Sequence, residues 1–282
     1  MALSNGKITN LRRVSYVVLD EADRILDMGF EPQVKVMLQN CRLDKQTVMF
    51  SATFPRSIEN LAKTILVHPI EIVVGNRGQT CNNIEQQVEV IEEEEKFWRL
   101  LELLGTWQDK GSILIFVDKQ IEADDLFKEL YKVGHKAIVL HGGQDQIDRE
   151  GFIQDFKDGV RSIMVATSVC ARGLDISHIR LVINYMCPNH IEDYVHRVGR
   201  TGRAGLQGTA ITFVSSDECQ YAQDLITAFE NSGRQVPEAL KKLNEEYLQK
   251  VQDGEIEKKR ANIGYIGKGY KFDEEEENKF KE

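Results

Sequence analysis

Short runs of aliphatic residues alternate along this chain with segments whose apolar positions recur at i, i+3, i+4 and i+7. That alternation marks a parallel sheet covered by helices. Phe97, Leu100, Leu101 and Leu104 make one helical stripe, expected to stop at Gly105, before a buried strand from Ile113 to Val117. Ala123, Leu126, Phe127 and Leu130 make the next, stopped at Gly134 before a strand at Ala137 to Leu140. Phe152, Ile153 and Phe156 lead to Gly159 and a strand at Ile163 to Ala166. Strands near Leu181 to Ile183 and Ala210 to Val214 follow, and a last stripe, Ala222, Leu225, Ile226 and Phe229, ends at Gly233. Residues 85–235 are therefore read as one α/β domain with a parallel sheet flanked by helices.

The front of the chain follows the same grammar with fewer words. Residues 1–75 supply strands only at Tyr16 to Leu19, Val48 to Phe50 and Ile72 to Val74, too few for a self-sufficient domain of this class. Such a piece is expected to expose apolar edges, whereas the second domain should fold alone. The polar, glycine-containing stretch around 76–84 suits a linker. Residues 236–282 read as a helix followed by a disordered tail that includes the acidic run Asp273 to Glu277.

Composition narrows the function classes only slightly. A net charge of −9 over 282 residues excludes nucleic-acid binding by overall positive charge, so any phosphate contact has to be local. Five widely spaced cysteines without a CxxC pair speak against a disulfide framework or a zinc site. No stretch approaches the roughly 20 apolar residues that span a bilayer, so a membrane partner is not expected.

Candidate chemistry sits at strand ends. In YVVLDEAD, Tyr16 to Asp23, four apolar residues lead into acids at the carboxyl end of a strand, where parallel α/β sheets bind ligands. Asp20 there can hold Mg²⁺ through water, and Glu21 can orient or deprotonate an attacking water. An acidic helix start reads equally well from these residues alone. Ser51-Ala52-Thr53 ends another apolar strand, where its hydroxyls could meet the carboxylates or merely cap a helix. HRVGRTGR, His196 to Arg203, sets arginines among glycines, with Arg200 and Arg203 spaced so that both could reach one terminal phosphate. ATSVCARGLD, Ala166 to Asp175, offers Thr167, Gly173 and Asp175, and His141-Gly142-Gly143 is followed by Gln146 and Arg149. These three loops are expected along one edge of the second sheet.

Together and in this order the strings resemble the DEAD-box RNA helicases, over nearly the whole chain. Asp20 to Asp23 match the motif that names the family, Ser51 to Thr53 its coupling motif, Gln146 and Arg149 its QxxR motif, and His196 to Arg203 its arginine-finger motif. The resemblance implies the C-terminal part of a first RecA-like domain followed by a complete second one, each an α/β parallel sheet flanked by helices, with ATP and Mg²⁺ as cofactors. By the same resemblance, Asp20 and Glu21 serve the ion and water, Gly173 and Asp175 the nucleotide, and Arg200 and Arg203 the γ-phosphate. Asp23, Ser51, Thr53 and His196 would link the domains, and Gly142, Gln146, Arg149 and Thr167 would contact RNA backbone with little sequence preference. NYMCPNHIEDYVHR and GKGYKFDE look most like the branch-site, pre-spliceosome subgroup, which implies spliceosomal protein partners, a nuclear location and a monomer.

The family's adenine-reading Gln motif, its phosphate-cradling loop and its first-domain RNA motifs have no counterpart. Neither Gly6-Lys7 nor Gly267-Lys268 has the G-x-x-x-x-G-K-[ST] spacing that cradles phosphates. The expectation is a helicase piece inactive by itself, or else a non-catalytic RNA- or spliceosome-binding module built on the second domain.

Overall fold

A computed structural model describes residues 10–27, 29–74, 83–171 and 176–256. The chain divides into two compact units, whose described residues are 10–74 and 83–256.

In the first unit, strand β1 (Tyr16–Leu19) pairs in parallel with β2 (Gln46–Met49), Tyr16 opposite Gln46 and Leu19 opposite Met49. Helices α1 (Ala22–Asp27), α2 (Glu31–Gln39) and α3 (Arg56–Ile65) follow the strands. Leu19, Ala22, Leu38, Ile58, Leu61 and Ala62 form a small buried set. Tyr16, Val18 and Phe50 stay about half exposed, so much of the strand pair's apolar surface has no cover among the unit's described residues. The strand expected at Ile72 to Val74 is not formed. Ile72 and Val74 are 82% and 92% exposed, and a β-prone run without a neighbouring strand has no ladder to join.

The second unit carries a six-stranded, all-parallel sheet. Its strands are β3 (Ile84–Val90), β4 (Ser112–Val117), β5 (Ala137–Leu140), β6 (Ile163–Thr167), β7 (Ile179–Asn184) and β8 (Gly208–Val214). They lie in the order β3-β8-β7-β4-β6-β5. Successive side chains of a strand point to opposite faces, and the two cores divide accordingly. Ile113, Ile115, Val117, Val139, Val165 and Ile183 pack with Leu100 and Leu104 of α4 (Glu93–Trp107) and Ala123, Leu126 and Leu130 of α5 (Gln120–Lys132). Leu114, Phe116, Leu140, Met164 and Val182 pack with α6 (Gln146–Lys157), α7 (Ile191–Val198), α8 (Ala222–Asn231) and α9 (Glu238–Gln252) on the other face. The core runs on past residue 235, because Leu240, Leu243 and Tyr247 of α9 are buried in it.

Two sequence expectations change in this unit. Helix α4 passes through Gly105 to Trp107. A glycine inside a helix costs roughly 1 kcal/mol, which the buried Leu100, Leu103 and Leu104 outweigh. Strand β3 was not anticipated. It is an edge strand of sequence IEQQVEV, half polar, and one of its polar residues, Gln86, is buried as the acceptor for the Tyr194 hydroxyl at 2.8 Å.

Candidate functional site

Where β1 ends, the backbone changes character within two residues. Asp20 is exposed and its Oδ1 accepts the Glu21 amide at 2.9 Å, while Glu21 itself sits at φ 48°, in the left-handed region that non-glycine residues seldom enter. The Ala22 amide donates to Phe50 O at 3.0 Å, tying this turn to the end of β2. Backbone strain of this kind concentrates at functional sites. Here it presents two adjacent carboxylates at the strand end.

Asp23 turns inward, 2% exposed. Its Oδ2 accepts both the amide of Thr53 (3.0 Å) and its hydroxyl (2.8 Å), and its Oδ1 accepts the Arg24 amide at 3.0 Å. The Ser51 hydroxyl accepts the Asp23 amide at 3.2 Å and donates to Thr53 O at 2.6 Å. The sequence left open whether Ser51 and Thr53 cap a helix or meet carboxylates. Neither hydroxyl caps α3, whose N-cap is Pro55, and Thr53 bonds Asp23. The first-unit members of the predicted coupling set are thus joined to one another, and His196 belongs to α7 of the second unit.

In the second unit the loops divide between the two edges of the sheet. His141 and Gly142 follow β5, Gln146 and Arg149 open α6, and Thr167 closes β6, so these lie at the carboxyl edge. His141 anchors the loop: its Nε2 meets Asp124 Oδ1 at 3.0 Å, its Nδ1 accepts the Gly143 amide at 3.1 Å, and its own amide donates to Gln144 Oε1 at 3.0 Å. Gln146 and Arg149 share one face of α6, with Arg149 Nη1 donating to Gln146 Oε1 at 3.1 Å. Gly142 and Gln146 are exposed, whereas Thr167 is 6% exposed.

The arginine loop is elsewhere, which corrects the expectation of a single edge. Thr201 Oγ1 donates to Ile179 O, the first residue of β7, at 2.6 Å. Asn83, immediately before β3, donates to Gly202 O at 3.0 Å, and the loop delivers the chain to Gly208, the first residue of β8. Residues 199–206 therefore lie at the amino edge. A loop that follows a helix returning from the carboxyl edge must arrive there. Arg200 Nε donates to His196 O (3.1 Å) and Arg203 Nε to Gly199 O (2.9 Å), so both stems fold back along the end of α7. Gly173 and Asp175 lie outside the described residues.

Sequence reasoning passed over Arg197. It is 3% exposed and bonded to Ser168 Oγ (2.7 Å), Asp193 Oδ2 (2.6 Å), Met186 O (2.9 Å) and Asp118 Oδ1 (2.7 Å), with its guanidinium 5.4 Å from the Phe116 ring centre. Burial alone would depress this cation, but Asp193 and Asp118 more than offset it and hold the group above its ordinary range. One side chain thus ties the ends of β4, β6 and β7 to the helix that leads into the arginine loop. Its presence in the HRVGRTGR string was the only sequence signal.

Comparison with known proteins gives the family and the fold. The family model described as DEAD/DEAH box helicase matches residues 2–61, and that described as helicase conserved C-terminal domain matches residues 95–205. The chain is 57% identical, over 98% of its length, to the probable ATP-dependent RNA helicase DDX46 of Homo sapiens, covering 27% of that protein. It is 54% identical, over 95% of its length, to the pre-mRNA-processing ATP-dependent RNA helicase prp5 of Emericella nidulans, covering 23% of it. The chain thus spans about a quarter of the length of these relatives. Among solved structures, S. cerevisiae Dbp5 bound to RNA and ADP BeF3 is 31% identical with TM-score 0.74, over 85% of this chain and 65% of that one. Prp28 from Chaetomium thermophilum bound to ADP is 34% identical with TM-score 0.52, over 80% of this chain and 54% of that one. With the acid turn in one unit, the arginine loop in the other and both family models matched in order, the chain belongs to the DEAD-box RNA helicases and has their RecA-like fold.

Proposed function

We propose that this chain supplies the water-activating acids, the phosphate-sensing arginines and half of the RNA surface of an ATP-driven RNA helicase acting in pre-mRNA splicing. The observation that carries the reading is the Asp20–Asp23 turn. Two adjacent carboxylates follow the strand, Asp20 exposed and Glu21 on a left-handed backbone, while the fourth residue is bolted to Thr53. Asp20 is exposed and already oriented by the Glu21 amide, which suits an outer-sphere carboxylate for Mg²⁺. The ion would supply charge neutralisation at the phosphate oxygens. Glu21 orients the attacking water, Arg200 and Arg203 stabilise charge developing on the γ-phosphate, and Gly173 and Asp175 contact the nucleotide. Gly142, Gln146, Arg149 and Thr167 hold RNA through its backbone, which an acidic chain can do because the contacts are local. The names of the relatives favour a nuclear protein with spliceosomal protein partners. Residues 1–75 form the back of the first RecA-like domain, 76–84 the linker and 85–235 the body of the second. The region 236–282 continues that body through α9 before its acidic end.

A binding-module reading has one observation in its favour: the RNA-facing residues all lie in the unit with the larger sheet and both extensive cores. Phosphate release separates the two. By itself the chain should release phosphate no faster than its Arg200→Ala variant, because it has no phosphate-cradling motif. Joined to the phosphate-gripping segment of the human relative, it should gain an RNA-stimulated rate that Arg200→Ala lowers by about 10³-fold. RNA binding without any Arg200-dependent rate in the joined protein would leave the module reading standing.

A further inference from the structure

We infer that Asn83 is a positioning residue for the arginine turn, acting through the turn's backbone. This rests on the reading of Arg200 and Arg203 given above. The turn that follows Arg200 contains three residues in the left-handed region, Gly202 (φ 67°), Ala204 (φ 53°) and Gly205 (φ 75°). Of these Ala204 adopts it against the preference of its own side chain. A turn so built does not hold its shape by local preference, so something outside it must.

Asn83 supplies that hold. Its side-chain amide nitrogen donates to Gly202 O at 3.0 Å and to Leu206 O at 3.2 Å, spending both hydrogens on the two ends of the turn. Its own carbonyl accepts the Gly208 amide at 3.0 Å, which starts the β3 and β8 pairing in register, Ile84 opposite Gly208. The next residue closes the fit. A Cβ on Gly202 would stand 2.4 Å from Ile84 Cγ1, so the turn is pressed against the first side chain of β3 and cannot move inward. Leu206 N donates to Arg203 O at 3.0 Å within the turn, and the Arg203 stem folds back on Gly199 O. Asn83 therefore fixes both ends of the segment from which Arg203 projects. It also stands at the end of the stretch read as the linker between the domains.

The test uses trypsin, whose target bond Arg203–Ala204 lies inside the clamped turn. In the 282-residue chain Asn83→Ala should raise the initial rate of cleavage after Arg203 by about tenfold, with the second unit's thermal midpoint lowered by only about 3 °C. Gln87→Ala, inside β3 and away from the turn, should leave that rate at the wild-type value. Cleavage by Asn83→Ala at the wild-type rate would overturn the inference. Should that variant not fold, Asn83→Gln decides, because it keeps both donors and displaces them by one methylene: faster cleavage supports the clamp and a wild-type rate overturns it. In the joined protein, Asn83→Ala should lower kcat for phosphate release with the KM for RNA unchanged. A normal kcat there, alongside a strong Arg200→Ala defect, removes the role of Asn83 and leaves the proposed function intact. A full rate in Arg200→Ala removes the proposed function instead.

Discussion

Thr53 delivers two hydrogen bonds, from its amide and its hydroxyl, to the same carboxylate oxygen of Asp23, thirty residues earlier in the chain. The pair is almost sealed from solvent, at 2% and 6% exposure, so each bond runs to a charged acceptor without competition from water. Thr53→Val should therefore destabilise the first unit by about 2 kcal/mol, and Asp23→Ala by more, since it strands two donors of Thr53 and the amide of Arg24. Denaturant unfolding followed in the first unit measures both. Equal stability of Thr53→Val and wild type would show that the contact carries no net free energy.

Arg197 should not tolerate lysine. A single ammonium cannot span Asp118, Asp193, Ser168 and the Met186 carbonyl, and any weakening of the contact to Asp193 falls on a buried carboxylate. Arg197→Lys is expected to cost about 3 kcal/mol of second-unit stability in urea unfolding. A loss within experimental error would show that the network's geometry is dispensable.

Lys96 gives a pH signature. It is fully buried and paired at 2.7 Å with both Glu218 and Glu93. Burial depresses the ammonium, but the hydrogen-bonded carboxylates outweigh it and the net shift is upward from the ordinary 10.5. A raised folded-state value means that the stabilisation is complete below the ordinary lysine value and fades as pH rises through the folded one. Lys96→Met should therefore be less stable than wild type at pH 7 by about 3 kcal/mol, and this difference should shrink only above roughly pH 10.5. Thermal melts of the two proteins between pH 7 and pH 11 provide the check; a difference that already closed by pH 9 would contradict the shift.

On the RNA side, Arg149→Ala should weaken binding of single-stranded RNA to a similar degree for every sequence and reduce the slope of log K against log salt by about 0.7. Fluorescence anisotropy across a salt series reads both. A change in sequence preference would mean that Arg149 reads bases, contrary to the backbone-contact role.

Much of the second unit was legible because β4, β5, β6 and β8 are buried along their whole length and α5, α6 and α8 stop at glycines. Ala137 to Leu140 is apolar throughout, and Gly134, Gly159 and Gly233 all adopt positive φ just past the ends of α5, α6 and α8. Legibility failed where long-range partners decide the outcome. Gln86 makes β3 look polar until Tyr194, more than a hundred residues on, is found against it. Ile72 to Val74 reads as a strand but pairs with nothing among the described residues. The acids at Asp20 and Glu21 could be named from sequence, yet the left-handed turn that presents them could not. Arg197 sat in full view inside a recognised string, but Asp118, seventy-nine positions away, is what gives it a structural task.

The division of the second unit's loops between opposite edges of the sheet bears on how the protein could be inhibited. The arginine turn and the loops at the carboxyl edge are separated by the length of the strands, about 20 Å for six-residue β7. On the proposed roles, a small molecule seated against Arg200 and Arg203 would compete with nucleotide without covering Gln146 or Arg149. Selectivity against nucleotide-hydrolysing proteins would then have to come from surfaces such as the Asn83 clamp rather than from the phosphate contacts themselves.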